Sequence, residues 1–360
     1  MPKKLLLYRL KTLAVIALAW ILFGMVFFTN LFKPTSDVGV HVSLFQFCFT
    51  FGIIGLIITA VMIFYLKPAF NHLPVWLSII LKMLITVVLF FVIAFILLMV
   101  YFVIHYRKSL ENYFHSFFIK LVYTNAFVIF MIDMGLMTFL TILLLEITDK
   151  YGPGMFWSML TGEYHQPKIQ NRIFIFLDIN ESTSIAEKLG HERYFRMLRN
   201  FFNDITLPVL ANDGEIYQYV GDEIVLTWLN TPENKIKSLK FIRNTYYLME
   251  RLSARYIKKY GQQPSFKAGV HAGEVTAGFV GLIKKDLIFC GDTMNTTARI
   301  RSMCHDLNEP FILSEDFMHD FHQPHGYTIG ALGTLELKGR QEPAKLFSLK
   351  LETDGGSRDR

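Results

Sequence analysis

Across its first 150 residues the chain barely alternates between apolar and polar positions. From Leu13 to Phe32, Ser43 to Leu66 and Met83 to Ile104 no charged residue appears, and a fourth run, Leu121 to Leu145, is broken only by Asp133. Each run is long enough to cross about 30 Å of hydrocarbon at about 1.5 Å per residue, so the pattern predicts four transmembrane helices. Pro74 and Lys82 make Leu73 to Leu81 read as an interfacial stretch rather than as the start of the third span. The first run lacks a small-residue cleavage site and reads as an anchor, not as a removed signal.

The period then changes. In the joining segment KYGPGMFWSMLTGEYHQPK, Gly152-Pro153-Gly154 predicts the end of the last helix, and Met155 to Leu160 suits a short amphipathic helix. From Asn171 strand and helix patterns alternate, beginning with a buried strand, RIFIFLDI, and a helical region from Ser182 through Leu210. A hairpin follows, IYQYVGDEIVLTW from Ile216 to Trp228, with Gly221-Asp222-Glu223 at its turn. A long amphipathic helix near Ile236 to Tyr260 and the strand FKAGVHAG come next. This is an α/β order over about 180 residues, enough for one core. The organisation expected is a membrane domain over 1–148, a linker over 149–170, an α/β domain over 171–351 and a disordered tail over 352–360.

Composition supports the membrane half, since 52% hydrophobic residues are too many for a soluble protein of this size. The net charge of +6 could suggest nucleic acid, but its position argues against that partner. Residues 1–150 hold 11 Lys/Arg and 5 Asp/Glu out of totals of 36 and 30, which leaves 25 of each for the remainder. The basic excess therefore flanks membrane helices, and the partner it implies is a lipid bilayer. Lys3, Lys4, Arg9 and Lys11 place the N-terminus in the cytoplasm, and four spans return the second half there. The cell (inner) membrane is the location expected, with Arg107, Lys108 and Lys120 on an external loop. Three cysteines, Cys48, Cys290 and Cys304, have no zinc or disulfide spacing and fit a reducing cytosol; Cys290 reads as core packing.

Candidate chemistry starts from two acids. Asp178 ends an apolar strand, where its carboxylate should be exposed at the strand's C-terminal edge, and Asp222 sits at the hairpin tip, where turn chemistry alone could explain it. Two acids on neighbouring strand ends repel unless a cation lies between them, and oxygen ligands beside a phosphate site suit Mg²⁺ or Mn²⁺. Asn180, Ser182 and Thr183 can cap the next helix, whose free N–H groups favour phosphate. In GDTMNTTARI, Asn295 and Arg299 share one helical face and could present an amide and a guanidinium to a sugar and a phosphate.

With those blocks in order, the chain resembles the class III nucleotidyl cyclases, the adenylyl and guanylyl cyclases, over roughly Asn171 to Leu351. FLDINEST resembles the first metal block, YVGDEIVLTW the second, and GVHAGEVTAGFVG the glycine-rich strand pair. CGDTMNTTARI resembles the transition-state helix and LKGRQEPAKLF the terminal lysine block. The resemblance implies a ferredoxin-like βαββαβ core and a head-to-tail homodimer. It implies two Mg²⁺ or Mn²⁺ ions per site on Asp178, Ile179 and Asp222, with Asn295 and Arg299 contributed by the other chain. It also implies a nucleoside triphosphate substrate whose tail is bound by Lys338, beside the phosphate-favouring helix end of Asn180, Ser182 and Thr183, with the base read near Gln218, Ile288 and Phe289. Because Gln218 can meet either purine while the Ile288 side chain offers no donor to the guanine oxygen, ATP is the substrate expected, with side activity on GTP.

Three positions depart from that family. Gln218 stands where many adenylyl cyclases have a base-reading lysine, Ile288 where an Asp or Thr is expected, and Ser182 where a phenylalanine is usual. The alternatives are a guanylate or other nucleotide cyclase, a catalytically inactive cyclase-like sensor, and a channel or transporter motivated by Asp133 within a span.

Overall fold

The structure, a computed structural model, describes residues 3–37, 43–70, 72–106, 125–151, 158, 161–321, 325–337 and 343–352. The chain divides into two compact units, 3–160 and 161–360.

The first unit holds α1 (Lys3–Asp37), α2 (Leu44–Val61, continued by a π-helical turn Met62–Leu66 and a last α turn Lys67–Phe70), α3 (Val75–Tyr106) and α4 (Asn125–Tyr151). Four windows among the described residues are long and apolar enough to cross a membrane: Arg9–Thr29, Leu44–Phe70, Val75–Ile93 and Met131–Thr148. Ser43 starts α2 with a capping box, its Oγ accepting from the Gln46 N–H while Gln46 Oε1 accepts from the Ser43 N–H, both at 3.2 Å. The helices pack around Trp20, whose ring lies 6.3 Å from Phe51 and 6.4 Å from Phe90. Its indole N–H donates to Thr141 Oγ1 at 3.1 Å, tying α1 to α4.

The third long helix starts earlier than the charge-free run from Met83: α3 begins at Val75 and runs through Lys82 without a break, and its apolar window is Val75–Ile93. The cause is on α4: Lys82 Nζ sits 2.7 Å from Glu146 Oε1, so its charge is paired inside the helix packing. Asp133 is buried on α4. The turn expected at Gly152-Pro153-Gly154, the amphipathic stretch 155–160 apart from Ser158, the loop with Arg107, Lys108 and Lys120, and the tail 353–360 lie outside the described residues.

The second unit is an eight-stranded sheet with helices between its strands. In chain order it holds β1 (Lys168–Ile179), α5 (Ser182–Leu189), α6 (His191–Ala211), β2 (Glu215–Val220), β3 (Glu223–Leu229), α7 (Pro232–Tyr260) and β4 (Phe266–Val280). Then follow β5 (Asp286–Cys290), α8 (Asp292–Asp306), β6 (Phe311–Ser314), α9 (Glu315–Met318), β7 (Tyr327–Leu335) and β8 (Ala344–Leu351). The sheet order is β2-β3-β1-β4-β6-β8-β7, with β5 paired to β4. Its first four strands are the ferredoxin-like βαββαβ arrangement, all neighbours antiparallel. The helical region expected as one piece is two, parted at Gly190.

Alternation decides what each face of β1 does. Ile173, Ile175, Leu177 and Ile179 point into the large core with Ile224, Leu226 and Trp228 of β3, beneath Phe201 and Ile205 of α6 and Leu239 and Ile242 of α7. Burying each such side chain stabilises by about 1.5–3 kcal/mol. Phe174, Phe176 and Asp178 point to the other face, against a smaller cluster with Val225, Val275 and Phe289 for the two aromatics.

The paired charges in the first unit give a direct prediction. Lys82→Met alone leaves Glu146 without its cation and should lower the unfolding midpoint in detergent more than Lys82→Met combined with Glu146→Gln. Equal midpoints for the single and double variants would show that the pair does not stabilise the helix packing.

Candidate active site

The site grows from the last turn of the central strand. On β1, Asp178 lies directly opposite Glu223 of β3 on one side and Lys267 of β4 on the other. All three therefore stand in one row across the sheet, on the face away from the large helical core. Between β2 and β3 the turn is two residues long, Gly221 then Asp222, with Gly221 at φ +62°, a conformation that favours glycine. The tip thus carries one acid, not the acidic pair expected, because Glu223 is already in β3 and buried.

Above this row lies α8. A Cβ on Gly269 of β4 would stand 2.4 Å from the backbone nitrogen of Arg301, so only glycine lets the helix come this close. The approach delivers the Arg301 guanidinium to the row: Nη1 donates to Asp178 Oδ2 at 3.2 Å and Nε lies 2.7 Å from Glu223 Oε2. The Glu223 contact is a close ion pair with its N–H off the line to the oxygen. Lys267 Nζ approaches the same Asp178 oxygen at 3.4 Å. Asp178 is therefore not the exposed carboxylate expected; with 7% of its surface accessible, it is buried under these two cations.

Burial pushes the Asp178 carboxyl above the usual carboxylate range, and the neighbouring Asp222 charge adds to this, while Arg301 and Lys267 pull it back. Glu223 is likewise raised, first by burial, against the opposing pull of Arg301. Asp222, in the turn that precedes Glu223, lies close enough for its charge to act on Asp178, so the two carboxylates need a proton or a cation between them. Tyr194 of α6 also belongs here: burial, with the nearby Asp222 charge, raises its pKa. Sequence reading missed Glu223, Lys267, Arg301 and Tyr194. The i, i+2 spacing of Arg299 and Arg301 was visible, but which one faces Asp178 depends on how α8 lies on β4.

The other sequence-selected residues separate into groups. Ile179 is buried in the large core, so only its backbone carbonyl could meet a cation. Asn180 ties the end of β1 to Ser265, through its N–H to the Ser265 carbonyl at 3.0 Å and its amide to Ser265 Oγ at 3.1 Å. None of Asn180, Ser182 and Thr183 caps α5; its N-cap is Glu181 at φ 52°, without a side-chain cap, which leaves the first N–H groups of that helix uncapped. Asn295 is exposed and Arg299 half-buried on α8. Arg301 is about 200° around the helix from Arg299, so the cation at Asp178 is not the one on the Asn295 face.

Gln218 is exposed on β2, and Ile288 and Phe289 lie on β5. These strands meet through the neighbouring Tyr217, whose ring is 5.0 Å from that of Phe289 and whose hydroxyl accepts from the Phe289 N–H at 3.3 Å. Cys290 is exposed, not core packing, because it follows the inward Phe289 on a strand with β4 as its partner. Lys338 lies outside the described residues.

The donor set fits a hard divalent ion. Two adjacent carboxylates and a carbonyl are oxygen donors, as Mg²⁺ and Mn²⁺ require. Among the described residues no group of three or more His, Cys, Asp or Glu forms a protein cage.

These pKa directions fix a pH dependence. A carboxyl whose folded pKa is raised contributes most below its unfolded pKa, and that contribution is lost as pH rises through the folded value. Without metal, Asp178→Asn should therefore raise the stability of the second unit at about pH 7, with the gain shrinking towards about pH 4. Thermal unfolding in EDTA across that range checks it; a destabilised Asn variant at neutral pH would contradict the buried-charge account.

Comparison with known proteins gives the same domain. Residues 164–350 match the family described as Adenylate and Guanylate cyclase catalytic domain. Adenylate cyclase 2 of Rhizobium meliloti is 34% identical over 222 residues, 60% of this chain and 61% of that protein. Adenylate cyclase 1 of the same organism is 27% identical over 180 residues, 49% of this chain and 27% of that protein. The chain thus spans less than two thirds of the length of these relatives. Among solved structures, the adenylyl cyclase CyaB from P. aeruginosa aligns at 17% identity and a TM-score of 0.47, covering 53% of this chain and 100% of that one. On the family match over more than half its length, the chain belongs to the adenylate and guanylate cyclase catalytic-domain family.

Proposed function

We propose that the protein is a membrane-bound adenylate cyclase that converts ATP to 3′,5′-cyclic AMP and pyrophosphate as a homodimer. The observation that carries the reading is that Asp222, in the turn just before Glu223, stands next to Asp178, the cross-strand partner of Glu223, as an oxygen-donor pair at the strand ends in a chain of this family. Asp178, Asp222 and the Ile179 carbonyl would hold two Mg²⁺ or Mn²⁺ ions. Bound there, the ions supply Lewis-acid stabilisation of phosphate charge and make the ribose 3′-hydroxyl more acidic. The uncapped N-terminus of α5, after Asn180 and with Ser182 and Thr183 in its first turn, receives phosphate oxygens. Lys338 binds the triphosphate tail.

Asn295 orients the ribose and Arg299 stabilises charge on the α-phosphoryl group. Both act from the partner chain, because within one chain α8 turns Arg301, and not Arg299, towards the acids. A homodimer then holds two composite sites. Residues 171–351 form the catalytic domain, which faces the cytoplasm of the cell (inner) membrane. The 149–170 linker carries the orientation of the helices to it.

ATP is preferred because of what surrounds the base. Gln218 can donate or accept, so it meets adenine or guanine equally well. The guanine oxygen needs a donor, but the Ile288 side chain has none and the Phe289 N–H is already given to Tyr217. An unmet buried group costs about 1–3 kcal/mol, which is roughly tenfold to a hundredfold in selectivity.

Membranes holding the protein, incubated with ATP and Mn²⁺, should form cyclic AMP, and Asp178→Asn or Asp222→Asn should abolish it. Asp222→Asn and Arg299→Ala chains, each inactive alone, should recover activity when mixed. Activity in either Asp variant refutes the metal roles, and demonstrated heterodimers without activity refute the shared site. With ATP and GTP at equal concentration, predominant cyclic GMP would overturn the substrate assignment. Tyr217→Phe, which releases the Phe289 N–H, should raise the cyclic GMP share.

A further inference from the structure

Arg301 has no part in the chemistry just described, yet it is the side chain that bridges the acid row. Cross-strand acids directly opposite one another, such as Asp178 and Glu223, are unfavourable unless a cation separates them. Arg301 is that cation, 3.2 Å from Asp178 Oδ2 and 2.7 Å from Glu223 Oε2. Resting on the metal-site reading above, we propose that Arg301 is a resident counter-ion of the metal site. It takes the cation's place at Asp178 in the metal-free protein and is held by Glu223 when a divalent ion arrives, so that it sets how tightly the site takes its metal.

The geometry supports each part. A divalent ion on Asp178 must compete for an oxygen that two cations already approach. Arginine cannot lose its proton to relieve that crowding, as a lysine can. The guanidinium therefore has to move away from Asp178, and Glu223, buried beside it on β3, is the acceptor that keeps it paired when it does. Glu223 needs no contact with the metal to act: it is a positioning residue for Arg301, as Arg301 is for Asp178. The close packing of α8 on Gly269 limits how far the arginine can travel, which keeps the competition local.

A purely structural bridge and a competing counter-ion predict different signs. If Arg301 only braces two strands, removing it loosens Asp178 and weakens metal binding. If it competes with the metal, removing it strengthens binding by about tenfold or more, since one positive charge leaves the immediate surroundings of the ion. The test is a Mn²⁺ titration of the full-length protein in detergent without nucleotide, read by the electron paramagnetic resonance of free Mn²⁺. Binding that persists in Asp178→Asn is subtracted, and far-UV circular dichroism verifies folding.

Arg301→Met should bind Mn²⁺ at least about tenfold more tightly than the wild type. Arg301→Gln, which keeps amide hydrogen bonding without the charge, should move the same way and serves if the Met variant does not fold. Glu223→Gln should weaken binding, and much of that loss should vanish when it is combined with Arg301→Met. Asp178-dependent binding that is unchanged or weaker in both folded Arg301 variants overturns the counter-ion role and leaves the metal site standing. No Asp178-dependent Mn²⁺ binding in the wild type or in either Arg301 variant overturns the metal-site reading, and this inference with it.

Discussion

A buried carboxylate beside two others must have positive charge within reach, and much of the second unit is arranged to meet that demand. Asp178 cannot retreat to solvent: it ends the central strand, with β3 and β4 on either side and α8 above. Its neighbours are accordingly chosen in pairs, Glu223 with Arg301 on one side and Lys267 on the other. Removing the cations without changing the acids would leave like charges in a poorly solvated place, a larger penalty than the loss of an exposed surface pair.

The sheet separates stability from chemistry by using its two faces differently. One face of β1 is aliphatic and builds the helical core; the other carries Phe174, Phe176 and then Asp178. A change in the large core therefore acts on the site through the position of the strand, not through direct contact. The turn at Gly221 adds Asp222 to the same end without a long loop, which keeps the second carboxylate beside the first.

The charge-free runs announced four helices long and apolar enough to cross a membrane. Their ends were less legible. Lys82 looked like an interfacial marker because its partner, Glu146, is far along the chain and becomes a neighbour only when α3 and α4 pack. An α/β domain followed from the order of strand and helix patterns and its ferredoxin-like core from the family resemblance, whereas the break at Gly190 and the strand assignment of Glu223 depended on local geometry that alternation does not encode. Asp178 and Asp222 stood out by position at strand end and turn tip. The burial of Asp178 did not, because it is imposed by Arg301 and Lys267 across sequence separations that a linear pattern does not connect.

One helix explains why a single chain is not enough for the proposed reaction. With about 100° of rotation per residue, Asn295 and Arg299 fall on one side of α8 while Arg301 falls on the other. The close seat of α8 on Gly269 fixes which side faces the sheet, and it is the Arg301 side. Rotating the helix to bring Arg299 onto Asp178 would expose the buried Ile300 and Cys304 and force Arg301 away from both acids. The helix is thus committed to charge compensation within its own chain, and in the proposed homodimer it is the Asn295–Arg299 face that is left for the partner's carboxylates. An enzyme assembled as proposed has activity that depends on how two copies are oriented.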